Sequence, residues 1–314
     1  MAGHVLISSV KNEGPFLLEW VAHHTVLGFD RIFVASNDCS DGSDDLLDAL
    51  QGAGMIAHLR NVVEPGEIPQ HLGYARMRAR YPLDEADWLM TLDADEFLNV
   101  HIGSHKVQDL TAAAPPDVDI IALSARTFSG EPQTRWEPGP VTLAFPVALP
   151  VRHWSNSAVK SLIRNPARFR AFHNHHPVGF RGPGTPRVMG GDGQMFDLSE
   201  GVPIWKELRV LQPEKISHQL AQYNHYAVKT WDSFMLRQAR GRGAVGKSDE
   251  ENQRHTEEYF RRRSGGGQPE LSVLRYAGAT DRLMRDLLQD PAVRAAHTQC
   301  EAAHAAACAA VRAG

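Results

Sequence analysis

Cysteine is scarce in this chain. Its three cysteines, Cys39, Cys300 and Cys308, are odd in number and show no CxxC spacing. That argues against a disulfide framework or a structural zinc site and fits a reducing cytoplasm. Long apolar runs are missing as well. No stretch approaches the roughly 18 residues that a membrane span needs, so no transmembrane segment is expected. Met1 to Ser9 runs straight into a strand pattern, without the marks of a signal peptide. Basic excess is absent too. Lys and Arg number 33 against 37 Asp and Glu, for a net charge of −4 and a pI near 6.5. Nothing here advertises nucleic-acid binding. The expectation is a cytoplasmic protein that touches the inner face of a membrane peripherally, if at all.

What is present is a globular composition, 42% hydrophobic and 22% charged over 314 residues. That length suits one large or two ordinary domains. The chain is organised around Trp88-Leu89-Met90-Thr91-Leu92-Asp93-Ala94-Asp95-Glu96. The short apolar run reads as a buried strand, and Asp93 and Asp95 fall at its carboxyl end, where ligands sit in an open α/β sheet. Two carboxylates spaced this way can approach one ion directly or through water. Hard oxygen ligands with open positions suit Mg²⁺ or Mn²⁺ shared with a substrate's phosphates. The alternative is a solvated acidic turn.

Upstream, His4 to Ser9, Arg31 to Ser36 and Met55 to Arg60 read as strands. Between them lie two helices. One opens at Pro15 and closes at Gly28, with Leu17, Trp20, Val21, His24 and Leu27 on one face. The other follows Asn37-Asp38-Cys39-Ser40-Asp41-Gly42-Ser43 and carries Asp44 and Asp45 in its first turn. A third helix, Gln70 to Tyr81, bears Arg76, Arg78 and Arg80. Strands alternating with helices predict a parallel sheet with right-handed crossovers. The turns after Ser9, Ser36 and Leu92 then emerge on one sheet edge. This topology gathers Lys11, Asn12, Asn37, Asp38, Asp41, Asp93 and Asp95 around one crevice.

The pattern resembles a GT-A type glycosyltransferase of the broad family 2 group, over roughly residues 4 to 100. Lys11-Asn12-Glu13, Asn37 to Ser43, and the Asp-x-Asp (DXD) of Asp93-Ala94-Asp95 occupy that family's nucleotide-sugar positions. His225-Tyr226-Ala227-Val228-Lys229-Thr230, with Phe234 and Arg240-Gly241 after it, is similar to the HYxxK segment of the family 2-like and family 92 branch. One departure is Asn37-Asp38-Cys39-Ser40, where many members carry Asp-Asp-Gly-Ser. The resemblance implies a GT-A fold, a Rossmann-like and mostly parallel sheet flanked by helices. It also implies a nucleotide-diphosphate sugar as donor, with a UDP-sugar favoured, and Mn²⁺ or Mg²⁺. Asp95 would bind metal, Asp93 the ribose or metal, and Asp38 or Asp41 the nucleobase. Arg76 would lie near the diphosphate, and His225 would be a third metal ligand. The plainer alternatives are a solvated Arg76, an Asp41 that caps a helix, and a His225 packed at a helix start.

Beyond Ala114 the pattern weakens. Val118 to Leu123, Val159 to Arg164 and Arg168 to Phe172 read as strands, and residues 126 to 150 as an acceptor-side or surface loop. In His173-Asn174-His175-His176, strand alternation would put His173 and His175 on one face and His176 on the other. Gly179 to Gly193 has the composition of a loop that orders over substrate. The domain is expected to span residues 1–246. A helical C-terminal extension over 247–314 would hold a charged helix from Ser248 to Arg263, a Gly-rich linker, and helices over Thr280 to Gln289 and Ala292 to Arg312, the last docked or frayed.

Family 2 resemblance implies inversion at the anomeric carbon, which needs a carboxylate base from the second half of the chain. Asp192 is the candidate, with Asp197 and Glu207 as rivals and a turn-shaping role for Asp192 as the alternative. The acceptor would be a glycan, a lipid-linked species or a small molecule. Other function classes are a nucleotide-sugar-binding protein that has lost catalysis and a metal-dependent nucleotidyltransferase. The latter would want a Gly-rich basic phosphate loop, which Lys11-Asn12-Glu13-Gly14 resembles poorly.

Overall fold

The structure is a computed structural model that describes residues 3–130, 133–240 and 256–313. It opens with strands and helices in alternation: β1 (His4–Val10), α1 (Gly14–Leu27), β2 (Arg31–Ser36), α2 (Ser43–Gly52), β3 (Ala57–Arg60), α3 (Pro69–Arg80) and β4 (Trp88–Thr91). Then come β5 (Glu96–Val100), α4 (Val107–Ala112), β6 (Ile120–Thr127), α5 (Val141–Ala144), β7 (Val147–Ala148), β8 (Val159–Arg164), β9 (Phe169–Phe172), β10 (Pro177–Phe180), β11 (Val188–Gly190) and β12 (Met195–Phe196). The chain closes with α6 (Ile204–Leu208), β13 (Ala221–His225), α7 (Trp231–Arg240), α8 (Glu257–Arg261), β14 (Gln268–Pro269), α9 (Ala277–Leu287) and α10 (Pro291–Ala313).

The first four strands pair in parallel, in the order β3-β2-β1-β4. Their turns therefore leave the sheet at one edge, as the alternating pattern predicts. The sheet continues β4-β8-β6-β11-β12, with β8 running antiparallel between β4 and β6. β13 joins β6 in parallel and β5 antiparallel. This is the α/β architecture expected of the sequence, a mostly parallel sheet flanked by helices with a helical C-terminal extension. No helix among the described residues is long and apolar enough to cross a membrane.

The C-terminal helices are docked. α9 packs on α1, and α10 on α1, α2 and α7. Approach is so close that a Cβ at Gly14 would sit 2.6 Å from Cys300 Sγ, which glycine alone avoids. With the sheet on one side and these helices on the other, α1 is buried on nearly every face from Gly14 to His24. The boundary expected at residue 246, Gly241, and the first part of the charged helix expected from Ser248 lie outside the described residues. Arg263, at the end of the charged helix expected from Ser248, is buried and stacks on Tyr259 and Trp154, with its guanidinium carbon 3.6 and 4.6 Å from their ring centres.

Burial of α1 traps two neutral histidines. His24 Nδ1 lies 2.8 Å from the Trp20 carbonyl, and the Leu98 amide donates to His24 Nε2. His23 Nε2 lies 2.8 Å from the Leu98 carbonyl. Burial outweighs that bond and brings the His23 pKa down to about 4. It also holds His24 well below the ordinary range, helped by His23. A folded pKa below the unfolded value means that the unfolded chain binds more protons between about pH 6.5 and 4. Stability is therefore present above this window and lost as pH falls through it. His23 alone accounts for about 3 kcal/mol. The melting temperature should fall by about 5 °C or more between pH 7 and 5. A flat profile over that range would contradict the neutral pair.

Candidate active site

The acidic strand end is a pinned turn. Glu96 N donates to the Asp93 carbonyl at 3.0 Å, and Asp93 N donates back to Glu96 Oε2 at 2.8 Å. Trp20 Nε1 reaches the carbonyls of Asp93 and Glu96 from α1, at 3.1 and 2.9 Å. Tyr226 N holds the Asp95 carbonyl at 2.9 Å. Glu96 is thus the first residue of β5, not the tail of a solvated turn. Antiparallel pairing then sets His225 directly across from Glu96. Ligand atoms of Asp95, Glu96 and His225 all lie within 4.8 Å of one another, and His225 Nε2 is 3.6 Å from Asp95 Oδ2.

Two cations face these acids, Lys160 fully buried and Arg237 partly exposed. Lys160, on β8 and fully buried, lies 3.0 Å from Asp93 Oδ2 and 2.7 Å from Glu96 Oε2. Arg237, on α7, pairs with Asp95 Oδ2 and donates to the Ala227 carbonyl at 2.9 Å. Burial alone would raise the Asp95 carboxyl, yet Arg237 and His225 hold it well below the usual range. Glu96 is raised by burial, with Asp93 and Asp95 adding to the effect against Lys160. Lys160 stays charged because its two carboxylates outweigh burial. Burial lowers His225, in spite of its bond to Asp95, and leaves a neutral imidazole able to ligate.

Asp93 is the open member, with a side chain 30% exposed. Its Oδ1 accepts from Gln70 Nε2 at 2.7 Å. Asp93 therefore faces Gln70 and Lys160, while Asp95 faces His225 and Arg237. Among the described residues the group able to hold one ion is Asp95, Glu96 and His225. That group contains Asp95 and His225, as the sequence pattern suggested, and Glu96, while Asp93 lies beside it. The two carboxylates suit Mn²⁺ or Mg²⁺, and the imidazole beside them is a softer donor that disfavours Mg²⁺.

The first two turns do converge, but much of their polarity is used internally. Asn12, at φ 51°, exchanges bonds with Ser40 at 3.1 and 2.8 Å. Asp41 accepts from Gly14 N at 3.0 Å and from both the amide and the hydroxyl of Ser43, so it ties the starts of α1 and α2 together. Asn37 is buried, donates to the Val10 carbonyl at 2.7 Å and accepts from Asn61 at 2.7 Å. Arg76 is half-buried and donates to Asn61 Oδ1 and the Val62 carbonyl, at 2.8 and 2.6 Å, and so holds the loop after β3. Asp38 is exposed at φ 47° in the turn after β2, and Lys11 lies in the turn after β1. Glu13 lies 3.7 Å from Lys229, whose ammonium sits 4.2 Å from the Phe16 ring centre.

Two expected groups meet a different local structure. Asp192 sits in the β11–β12 turn, where Oδ1 accepts from Gln194 N at 3.0 Å. That turn is bonded to Leu220, and His225 lies five extended residues further on, about 16 Å away. Asp192 shapes a turn and is not beside the acidic cluster. Asp192→Asn is thus expected to keep turnover within about three-fold, since asparagine retains an Oδ1 that can accept from Gln194 N. A loss of 100-fold with donor affinity retained would restore it as the base. Residues 173–176 form a turn between β9 and β10, so strand alternation does not apply. His173 stacks on His71 at 3.9 Å, while His175 Nδ1 lies 2.8 Å from the Val159 carbonyl.

Lys160, Gln70 and Arg237 were not singled out from sequence. A lysine inside the apolar run Val159–Ile163 is a signal of a buried counter-charge. Arg237 falls three residues after the buried Phe234, on the same helical face.

No family model matches the chain. It is 24% identical over 220 residues to a glycosyltransferase family 92 protein of Oryza sativa subsp. japonica, covering 68% of this chain and 35% of that protein. A family 92 protein of Arabidopsis thaliana is 25% identical over 238 residues, covering 71% and 35%. One from Ricinus communis is 26% identical over 178 residues, covering 54% and 31%. Among solved structures, S. aureus TarS overlaps 52% of this chain and 28% of its own at 10% identity, with a TM-score of 0.33. LgtC overlaps 38% of this chain and 45% of its own at 16% identity, with a TM-score of 0.27. Both overlaps are too partial to carry an argument. The chain spans about a third of the length of its curated relatives, and those relatives are named glycosyltransferases of family 92.

Proposed function

We propose that this chain is a GT-A type glycosyltransferase, family 2-like with a family 92-like HYxxK segment. It would move a sugar from a nucleotide-diphosphate sugar to an acceptor hydroxyl. The observation that carries the reading is the cluster of Asp95, Glu96 and His225 at the carboxyl end of the parallel strands, with Asp93 opening to solvent beside it. Similarity to named glycosyltransferases supports it. Asp95, Glu96 and His225 would hold Mn²⁺ or Mg²⁺, which stabilises the negative charge gathering on a leaving diphosphate. Asp93, kept in place by Gln70 and Lys160, would receive the ribose. Asp38 and the Asn12–Ser40 pair would border the nucleobase, with uridine preferred, while Arg76 would support the donor loop after β3. Inversion by a single displacement is the proposed stereochemistry. The proposed location is the cytoplasm, with the acceptor a glycan, a lipid-linked species or a small molecule.

Nucleotide competition tests the donor end. With Mn²⁺ present, uridine diphosphate should raise the melting temperature more than guanosine diphosphate does. Equal protection by every nucleotide would sink the assignment of the second turn to the base.

A further inference from the structure

Arg237 and Lys160 hold the acids of the cluster in different ways. Lys160 is enclosed in the sheet between two carboxylates and has nowhere to move. Arg237 stands on α7 at the wall of a cavity of about 360 Å³, which Glu13, Lys229, Ser233 and Leu236 also line, with Ala303 of α10 opposite. Its Nε is buried and has no hydrogen-bond partner among the described residues, so its guanidinium is incompletely satisfied where it lies. The carboxylate oxygen it holds, Asp95 Oδ2, is also the one that faces His225 Nε2. An ion drawn to Asp95 Oδ2 and His225 would compete with Arg237 for that oxygen.

We propose that Arg237 is a displaceable counter-ion. It keeps Asp95 neutralised until a divalent cation arrives, then turns into the adjoining cavity to meet the donor's diphosphate. This rests on the metal-dependent reading of the site. A cation joining Asp95 with Arg237 in place would meet a like charge on the same oxygen. Release into the cavity removes that conflict and places a guanidinium where a diphosphate can accept its fork of donors. Cation and diphosphate should therefore bind cooperatively, each raising the other's affinity by the same factor.

The test is Mn²⁺ binding, read by electron paramagnetic resonance of free Mn²⁺ with no nucleotide present. Arg237→Met is expected to bind Mn²⁺ roughly ten-fold more tightly than wild type, or better, because no buried pair must be broken first. Arg237→Lys, which keeps the charge and is the safer fold, should fall between them. Uridine diphosphate should tighten Mn²⁺ binding by wild type and add little to Arg237→Met. Variants that bind Mn²⁺ no more tightly than wild type would overturn the proposal. Failure of every form, wild type included, to bind Mn²⁺ would overturn the metal site and this role together. Tighter Mn²⁺ binding by Arg237→Met without any nucleotide binding would support the displacement and count against sugar transfer.

Discussion

Asp95→Asn is expected to reduce sugar transfer by about 10³-fold, since a metal clamp on a leaving diphosphate is worth several kcal/mol. Mn²⁺-dependent binding of the nucleotide sugar should be lost with it. Asparagine is the informative replacement. Asp95 is nearly fully buried and paired with Arg237, so alanine would remove the partner of a half-buried guanidinium and leave a gap, which confounds stability with binding. Calorimetry of the nucleotide sugar with and without Mn²⁺ separates the two effects. Unchanged metal-dependent affinity in a folded Asp95→Asn protein would show that the cluster is not the donor site.

The largest effect on stability is expected at Lys160. Its ammonium is completely buried and serves Asp93 and Glu96 at once. Lys160→Met should destabilise the protein by about 3–5 kcal/mol, because Glu96 is left buried without a counter-charge. Adding Glu96→Gln should recover at least half of that loss, since the stranded charge is then removed. The deficit of the single variant should also shrink as pH falls, because protonating Glu96 neutralises it. Urea unfolding of the two variants at pH 8 and 5.5 decides this. A Lys160→Met protein within about 1 kcal/mol of wild type would mean that water, not Lys160, satisfies these acids.

Much of the first hundred residues was legible because their order is local. Gly28 after Leu27 ends α1 where a left-handed cap is needed, and its φ of 105° agrees. The parallel order of β1 to β4 follows from strand–helix alternation, and with it the convergence of the turns at Lys11, Asn37 and Asp93. What was not legible depends on pairing at long range. β8 enters beside β4 from more than sixty residues on and brings Lys160 to Asp93, 67 residues away. Arg237 reaches Asp95 across 142 residues. Sequence alone does not show that Glu96 opens a strand, because three carboxylates in four residues mask the start of Glu96–Val100. The surroundings of Asp192 were not legible, because a glycine-rich composition does not say which end of β13 the turn will meet.

The most direct test of sugar transfer at Asp95 is nuclear magnetic resonance of nucleotide sugars mixed with the protein, Mn²⁺ and an acceptor panel. The account predicts that one donor, most readily a uridine sugar, is consumed only when Mn²⁺ is present. An α-linked donor should then give a β-configured product, and Asp95→Asn should abolish consumption. No turnover of any donor, or turnover that survives both chelation and Asp95→Asn, would contradict it.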